Sequence, residues 1–128
     1  TRVKIDHCND TTDTEYLQWI LDQGCFIGLD RYPGHGVSPH MRTVTLKKLM
    51  DMGYSDQLCP SHDCICIHIH KELPDGTIPE EHQFQKANPD QFLYMHRHVI
   101  PELKEMGASD ADIENLFVNN PRRFLFGE

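Results

Sequence analysis

Three stretches of the chain close on side chains that can do chemistry. The alternating run Val3–His7 closes on His7. The apolar run Cys25–Asp30 closes on Asp30 and is followed by Arg31. A third run, Leu58–Asp63, closes on His62 and Asp63. Imidazole and carboxylate are good ligands for zinc and similar metals. Water on such a metal loses its proton near neutral pH, and a carboxylate beside it can carry that proton away. Each residue also has an ordinary role. A histidine near a strand end often makes a structural hydrogen bond, and an aspartate there often caps a turn. Asp30-Arg31 reads equally well as a surface ion pair.

The densest chemistry is in Pro60–His70, PSHDCICIHIH, where eleven residues hold three histidines, two cysteines and one aspartate. A zinc finger is one reading of Cys59, Cys64, Cys66, His68 and His70. The spacing argues against it, because there is no Cys-x-x-Cys and no second pair at finger distance. Cys64, Cys66, His68 and His70 alternate with other residues, so an extended segment puts them on one face. They then lie along a line rather than around one ion.

The elements that must position these residues follow from periodicity. Val3–His7 alternates as a strand does. Thr12 and Glu15 have the spacing of a capping box, and Tyr16, Leu17, Ile20 and Leu21 recur at helical spacing up to a C-cap at Gly24. Cys25–Asp30 is nearly continuous and apolar, the pattern of a parallel strand buried on both faces. Arg31–His40 is a Gly/Pro-rich loop. Val44, Leu46, Leu49 and Met50 predict a helix ending at Gly53. Leu58–Asp63 reads as a third strand, weakened by Pro60. Residues 64–90 form a long loop, which in a compact domain is usually functional or mobile. Gln91–Met106 is helical, with Pro101 marking a kink or a new start. Ser109 and Asp112 cap a last helix that runs to Val118 and stops at Asn119-Asn120-Pro121.

Strand and helix therefore alternate, which means parallel strands joined by right-handed crossovers. Three strands with helices for one face leave the other face bare and both edges open. The unit suits the closing part of a (β/α)8 barrel, whose active site lies at the C-terminal strand ends. Its 128 residues are one domain's worth. A net charge of −8 argues against nucleic acid and anionic membranes as partners. No apolar run reaches the ~18 residues of a membrane helix. The start has neither a secretory signal nor an initiator Met and reads as cut from something longer. Five cysteines without scaffold spacing favour reduced thiols and a cytoplasmic setting.

The blocks IDHCNDTTDTEYL, GCFIGLDRYP, GYSDQLCPSHDCIC, HVIPELKEMG and NPRRFLF resemble, in that order, the C-terminal part of the phosphotriesterase family, within the amidohydrolase superfamily of metal-dependent (β/α)8 hydrolases. The resemblance covers nearly the whole chain apart from the loops at 33–41 and 65–90. It implies strands six, seven and eight with their helices, and residues 1–128 as one partial barrel domain. His7 would be a metal ligand, Asp63 both metal ligand and proton acceptor from a bridging hydroxide, and Asp30 a carboxylate of the proton relay. His62 would support Asp63. GLDRYP and SHD resemble the lactonase branch, in which Arg31 and Tyr32 would line the substrate pocket and the loop at 64–90 would cover the acyl chain. Pro33 and CICIHIH depart from that pattern.

The resemblance further implies two divalent metal ions, zinc first, with cobalt, iron or manganese as alternatives. It implies a small lactone or ester substrate, phosphotriester hydrolysis as a side activity, and a homodimer or a complementing barrel half as partner. The family's other ligands come from strands one, four and five, which these residues do not include. The isolated chain is then expected to be inactive. Two non-catalytic readings stand beside this one, a half-barrel interaction unit and a Cys/His structural-zinc module.

Overall fold

The computed structural model describes residues 2–34, 36–64, 75 and 88–127. Its centre is a parallel sheet of three strands in the order β1 (Lys4–Ile5), β2 (Phe26–Leu29), β3 (Leu58–Pro60). The register pairs Ile5 with Ile27, Ile27 with Leu58 and Leu29 with Pro60. Side chains alternate across a strand, so Ile27, Leu29 and Leu58 share one face, and all three are fully buried. Helices α1 (Thr14–Asp22) and α2 (Pro39–Leu49) supply the core that meets them. Leu17, Ile20 and Leu21 come from α1, and Leu46 and Leu49 from α2. The opposite face carries Lys4, Phe26, Gly28 and Cys59. Val3 and Ile5 remain 48% and 40% exposed, and β1 and β3 are the sheet's edges among the described residues. The paired strands are shorter than the sequence runs, which puts His7, Asp30 and Asp63 just beyond the ladder. Pro60 is tolerated because an edge strand does not need every N–H, and Ser61 N resumes bonding to Leu29 O at 3.1 Å.

Three element boundaries differ from the sequence expectation. The cap of α1 is Asp13, not Thr12: its carboxylate accepts from Glu15 N and Tyr16 N, both at 3.1 Å. Aspartate is as strong a cap as any residue, and it stands one position nearer the helix. Helix α2 starts at Pro39, inside the expected loop, because Ser38 caps it through Met41 N and Pro39 is pre-set for a first turn. The chain does not stop at Asn119-Asn120-Pro121. A helix α4 (Asp110–Glu114), opened by the expected Ser109/Asp112 capping box, passes through a π-helical turn (Asn115–Asn119) into α5 (Asn120–Phe126). Pro121 sits in the first turn of α5, where a missing N–H costs little. The same device joins the π-helical turn Met95–Val99 to α3 (Ile100–Glu105), where Pro101 marks the expected new start. No helix among the described residues is long and apolar enough to cross a membrane.

Asn120 explains why the chain end matters to β3. It is fully buried, and its amide donates to Ser55 O at 2.6 Å and Leu58 O at 2.7 Å. Arg123 in turn donates to the side-chain oxygen Asn120 Oδ1 and, at 2.7 Å, to Asn115 Oδ1. Replacing Asn120 by Leu takes the amide donor from Leu58 O and leaves Ser55 O only the longer 3.4 Å bond from Asn115 Nδ2, each loss costing roughly 1–3 kcal/mol. Urea unfolding of Asn120→Leu should therefore show a loss of about 2–4 kcal/mol.

Candidate active site at the strand ends

His7 follows β1 in a left-handed backbone conformation (φ 61°), and Asp63 follows β3 in another (φ 44°). Non-glycine residues seldom adopt positive φ, and such outliers cluster at functional sites. His7 is held there by Asp30. One carboxylate oxygen, Asp30 Oδ1, accepts the His7 backbone N–H at 2.9 Å and lies 3.1 Å from ring Nδ1. Asp30 is buried while His7 is about half exposed. A carboxylate on Nδ1 orients the ring and leaves Nε2 as the second donor, the arrangement common among metal-binding histidines. Gly28 is required beside it. A Cβ at Gly28 would collide with Asp6 Oδ1 and stand 3.2 Å from Asp30 Oδ2. The Lys4 ammonium, 2.7 Å from Asp6 Oδ1, balances this acidic face. Burial pushes Lys4 down, but Asp6 and, more weakly, Cys59 and Asp30 outweigh it, so its pKa is raised.

A second group surrounds Arg31. Its Nη1 donates to Asp10 Oδ2 at 2.6 Å, its Nε lies 3.7 Å from Asp63 Oδ2, and its backbone N–H donates to Asn9 Oδ1 at 3.1 Å. Arg42 meets the other oxygen of Asp10 at 3.1 Å. Partial burial pushes the Asp10 carboxyl up, but hydrogen bonds from Arg42 and then Arg31 outweigh it and hold it below the usual carboxylate range.

The structure thus joins His7 to Asp30 and Arg31 to Asp63. Among the described residues Asp63's one charged partner is Arg31, and no hydrogen bond links it to His7 or Asp30. Tyr32 lies in the core, stacked on Tyr94 at 6.4 Å, with burial pushing its phenol up. Its hydroxyl lies near the Thr43 side chain without a hydrogen-bond partner among the described residues, and the Thr43 hydroxyl itself donates to Pro39 O at 3.1 Å. Of the two expected substrate-side residues, only Arg31 presents surface here. His62 packs edge-on against Phe92, ring centroids 5.1 Å apart. Its pKa is lowered, first by burial, against a hydrogen bond with the Phe92 backbone that raises it, and then by His96. Cys66, His68, His70 and most of the loop at 64–90 lie outside the described residues.

Asp10, Asn9 and Arg42 were not singled out by sequence reasoning. The first two stood in plain view, in a polar turn directly after a strand that ends in histidine. Arg42 carries no comparable signal, because a lone arginine at a helix start is normally solvated.

The donor types at the strand ends suit a divalent metal, but their number does not. No three His, Cys, Asp or Glu side chains converge among the described residues, and a catalytic zinc usually takes three protein ligands.

Residues 1–125 match the phosphotriesterase family. The chain belongs to that family. It is 32% identical to a "phosphotriesterase homology protein" of Mycobacterium tuberculosis over 98% of its own length and 36% of the relative's. It is 33% identical to an "aryldialkylphosphatase" of Saccharolobus solfataricus, covering 97% of this chain and 38% of that one. A "phospho-furanose lactonase" of Mycoplasmopsis synoviae is 26% identical over 97% of the chain and 33% of the relative. The solved structure of the phosphotriesterase from M. tuberculosis superposes with a TM-score of 0.79 at 32% identity, over 95% of this chain and 36% of that one. The chain thus spans about a third of the length of the curated relatives it matches. A phosphotriesterase-family α/β unit with a parallel sheet is therefore what the sequence resemblance implied and what the fold displays.

Asp10 gives a pH prediction. A carboxyl depressed in the folded state stabilises the fold above its unfolded pKa, near 4. It loses that contribution as pH falls through the lower folded value. In urea titrations the stability gap between the unaltered chain and Asp10→Asn should be constant above about pH 5 and narrow progressively below about pH 4. A gap independent of pH would mean that the two arginines do not hold the ionised carboxylate.

Proposed function

We propose that this chain supplies the sixth, seventh and eighth strands of a (β/α)8 hydrolase that opens lactones or cleaves esters, with phosphotriesters as secondary substrates. The observation that carries the reading is the convergence of two pairs at adjacent strand ends, His7 with Asp30 and Arg31 with Asp63. The names of the lactonase and phosphatase relatives support the substrate classes. His7 and Asp63 are two ligands of a divalent metal centre, zinc first among the candidates, whose other ligands come from outside these residues. Bound there, the metals would polarise the substrate oxygen and acidify water.

The chain's own residues then have distinct tasks. Asp30 fixes the His7 ring through Nδ1. Asp63 takes the proton from the attacking water as general base. Asp30 is the carboxylate from which a proton can pass on toward solvent. Arg31 offers its charge to the substrate's acyl or phosphoryl oxygen, and Tyr32 backs the loop that carries Arg31. The family's other metal ligands would come from strands outside these residues, so the 128-residue chain alone is not expected to hydrolyse.

Intact mass with metal analysis comes first. The 14.9 kDa chain should hold no stoichiometric metal and show no lactonase activity. The barrel completed by the missing strands should bind about two metals, the number a two-metal site requires. In that barrel Asp63→Asn should lower kcat by roughly 10²–10⁴-fold, the usual share of a general base. His7→Ala should lower metal content as well as rate. One tightly held zinc in the short chain, lost on replacing Cys59 or Cys64, would overturn this reading in favour of a structural-zinc module.

A further inference from the structure

We propose that Arg42 is a positioning residue of this site, a buried guanidinium that orders the loops after β1 and β2 and, through Asp10, turns Arg31 toward Asp63.

The Arg42 side chain is completely buried. An arginine without solvent must place its donors on protein oxygens, or the charge is ruinous. Nη1 donates to Asn9 O at 2.5 Å and lies 3.1 Å from Asp10 Oδ1, and Nε donates to Val37 O at 3.1 Å. The residues that receive these bonds come from two loops, 8–11 after β1 and 31–38 after β2. Gly34 completes the cradle. It has φ +71°, and a Cβ there would stand 2.5 Å from Arg42 Cζ and Nη2. The guanidinium plane therefore lies against bare backbone, and the second loop bends around it.

The link to Arg31 runs through one carboxylate. Asp10 gives Oδ1 to Arg42 and Oδ2 to Arg31. A carboxylate gripped on both oxygens has no freedom to rotate, so the Arg31 guanidinium is fixed with Nε on the Asp63 side. Asn9 adds a second tie. Its carbonyl is held by Arg42 while its side-chain oxygen holds the Arg31 backbone N–H. Lysine could not replace Arg42, because an ammonium on one stem cannot serve Val37, Asn9 and Asp10 with a planar fork.

The inference rests on the proposed function only for the statement that Arg31 and Asp63 face substrate. Its test needs no turnover. The Arg31 Nε–H signal of the 128-residue chain, assigned through Arg31→Lys, is followed by ¹⁵N NMR in the unaltered chain, Arg42→Lys, Arg42→Met and Asp10→Asn. Methyl signals of the fully buried Leu46 and Leu58 report the fold. The expected result is an Arg31 signal displaced from that of free arginine, and loss of the displacement in all three variants while the methyl signals persist. A merely structural role would lower stability and leave the Arg31 signal in place. That outcome in folded Arg42→Lys overturns the proposal. Should neither Arg42 variant fold, Asp10→Asn decides, because it keeps Arg42 and cuts the link. An Arg31 signal unmoved there also overturns it. Failure of the completed barrel to hydrolyse lactones or esters would sink the hydrolase reading without touching this spectrum.

Discussion

Everything described depends on the register of β2 against β3. Ile27 opposite Leu58 puts the apolar side chains under the helices and leaves Gly28 opposite Cys59 on the other face. A slip of one residue would exchange the faces. Leucines would then meet the polar side, and Asp30 would turn away from His7. The helices enforce this register. Leu17, Leu21, Leu46 and Leu49 share one buried cluster with Ile27, Leu29 and Leu58, and burying each such side chain contributes roughly 1.5–3 kcal/mol. Asn120 adds a polar lock from the far end of the chain by gripping Leu58 O.

On that platform the strand ends are free to take up less favourable conformations. His7 and Asp63 both stand at positive φ, a cost of order 1–3 kcal/mol each. The Asp30 carboxylate offsets the first by meeting His7 twice. The Arg31 side chain faces the second. Charge is balanced in the same compact way, with Lys4 against Asp6 and two arginines against Asp10. The acidic chain thus concentrates its local cations where carboxylates crowd.

Much of this was legible in the residues. Strand–helix alternation gave the parallel order, and the apolar run Cys25–Asp30 announced its central strand. His7, Asp30 and Asp63 stand out as candidates because each closes a strand-like run. Boundaries were less legible for local reasons. Asp13 displaced Thr12 as a cap by one position, and Ser38-Pro39 opened a helix inside what composition marked as loop. Pro121 looked like a stop, since nothing in a single sequence distinguishes a terminating proline from one in a first turn. Arg42 was the deepest omission. A lone arginine in a helix is normally solvated, and only its contacts with residues far back in the chain reveal it as buried.

The π-helical turns Met95–Val99 and Asn115–Asn119 have a consequence for angular phase. Each draws one residue more into a turn, as when Ile100 N reaches Met95 O and Asn120 N reaches Asn115 O. One residue corresponds to about 100° of rotation in a regular helix. The extra residue ahead of α5 therefore works as a dial that sets which side of the last helix looks inward. In a regular helix of the same composition the Asn120 amide would point along the surface, and Phe124 would leave the Phe26 ring it meets edge-on at 5.6 Å. The length of that turn, more than the identity of any residue in it, aims the end of the chain at the sheet.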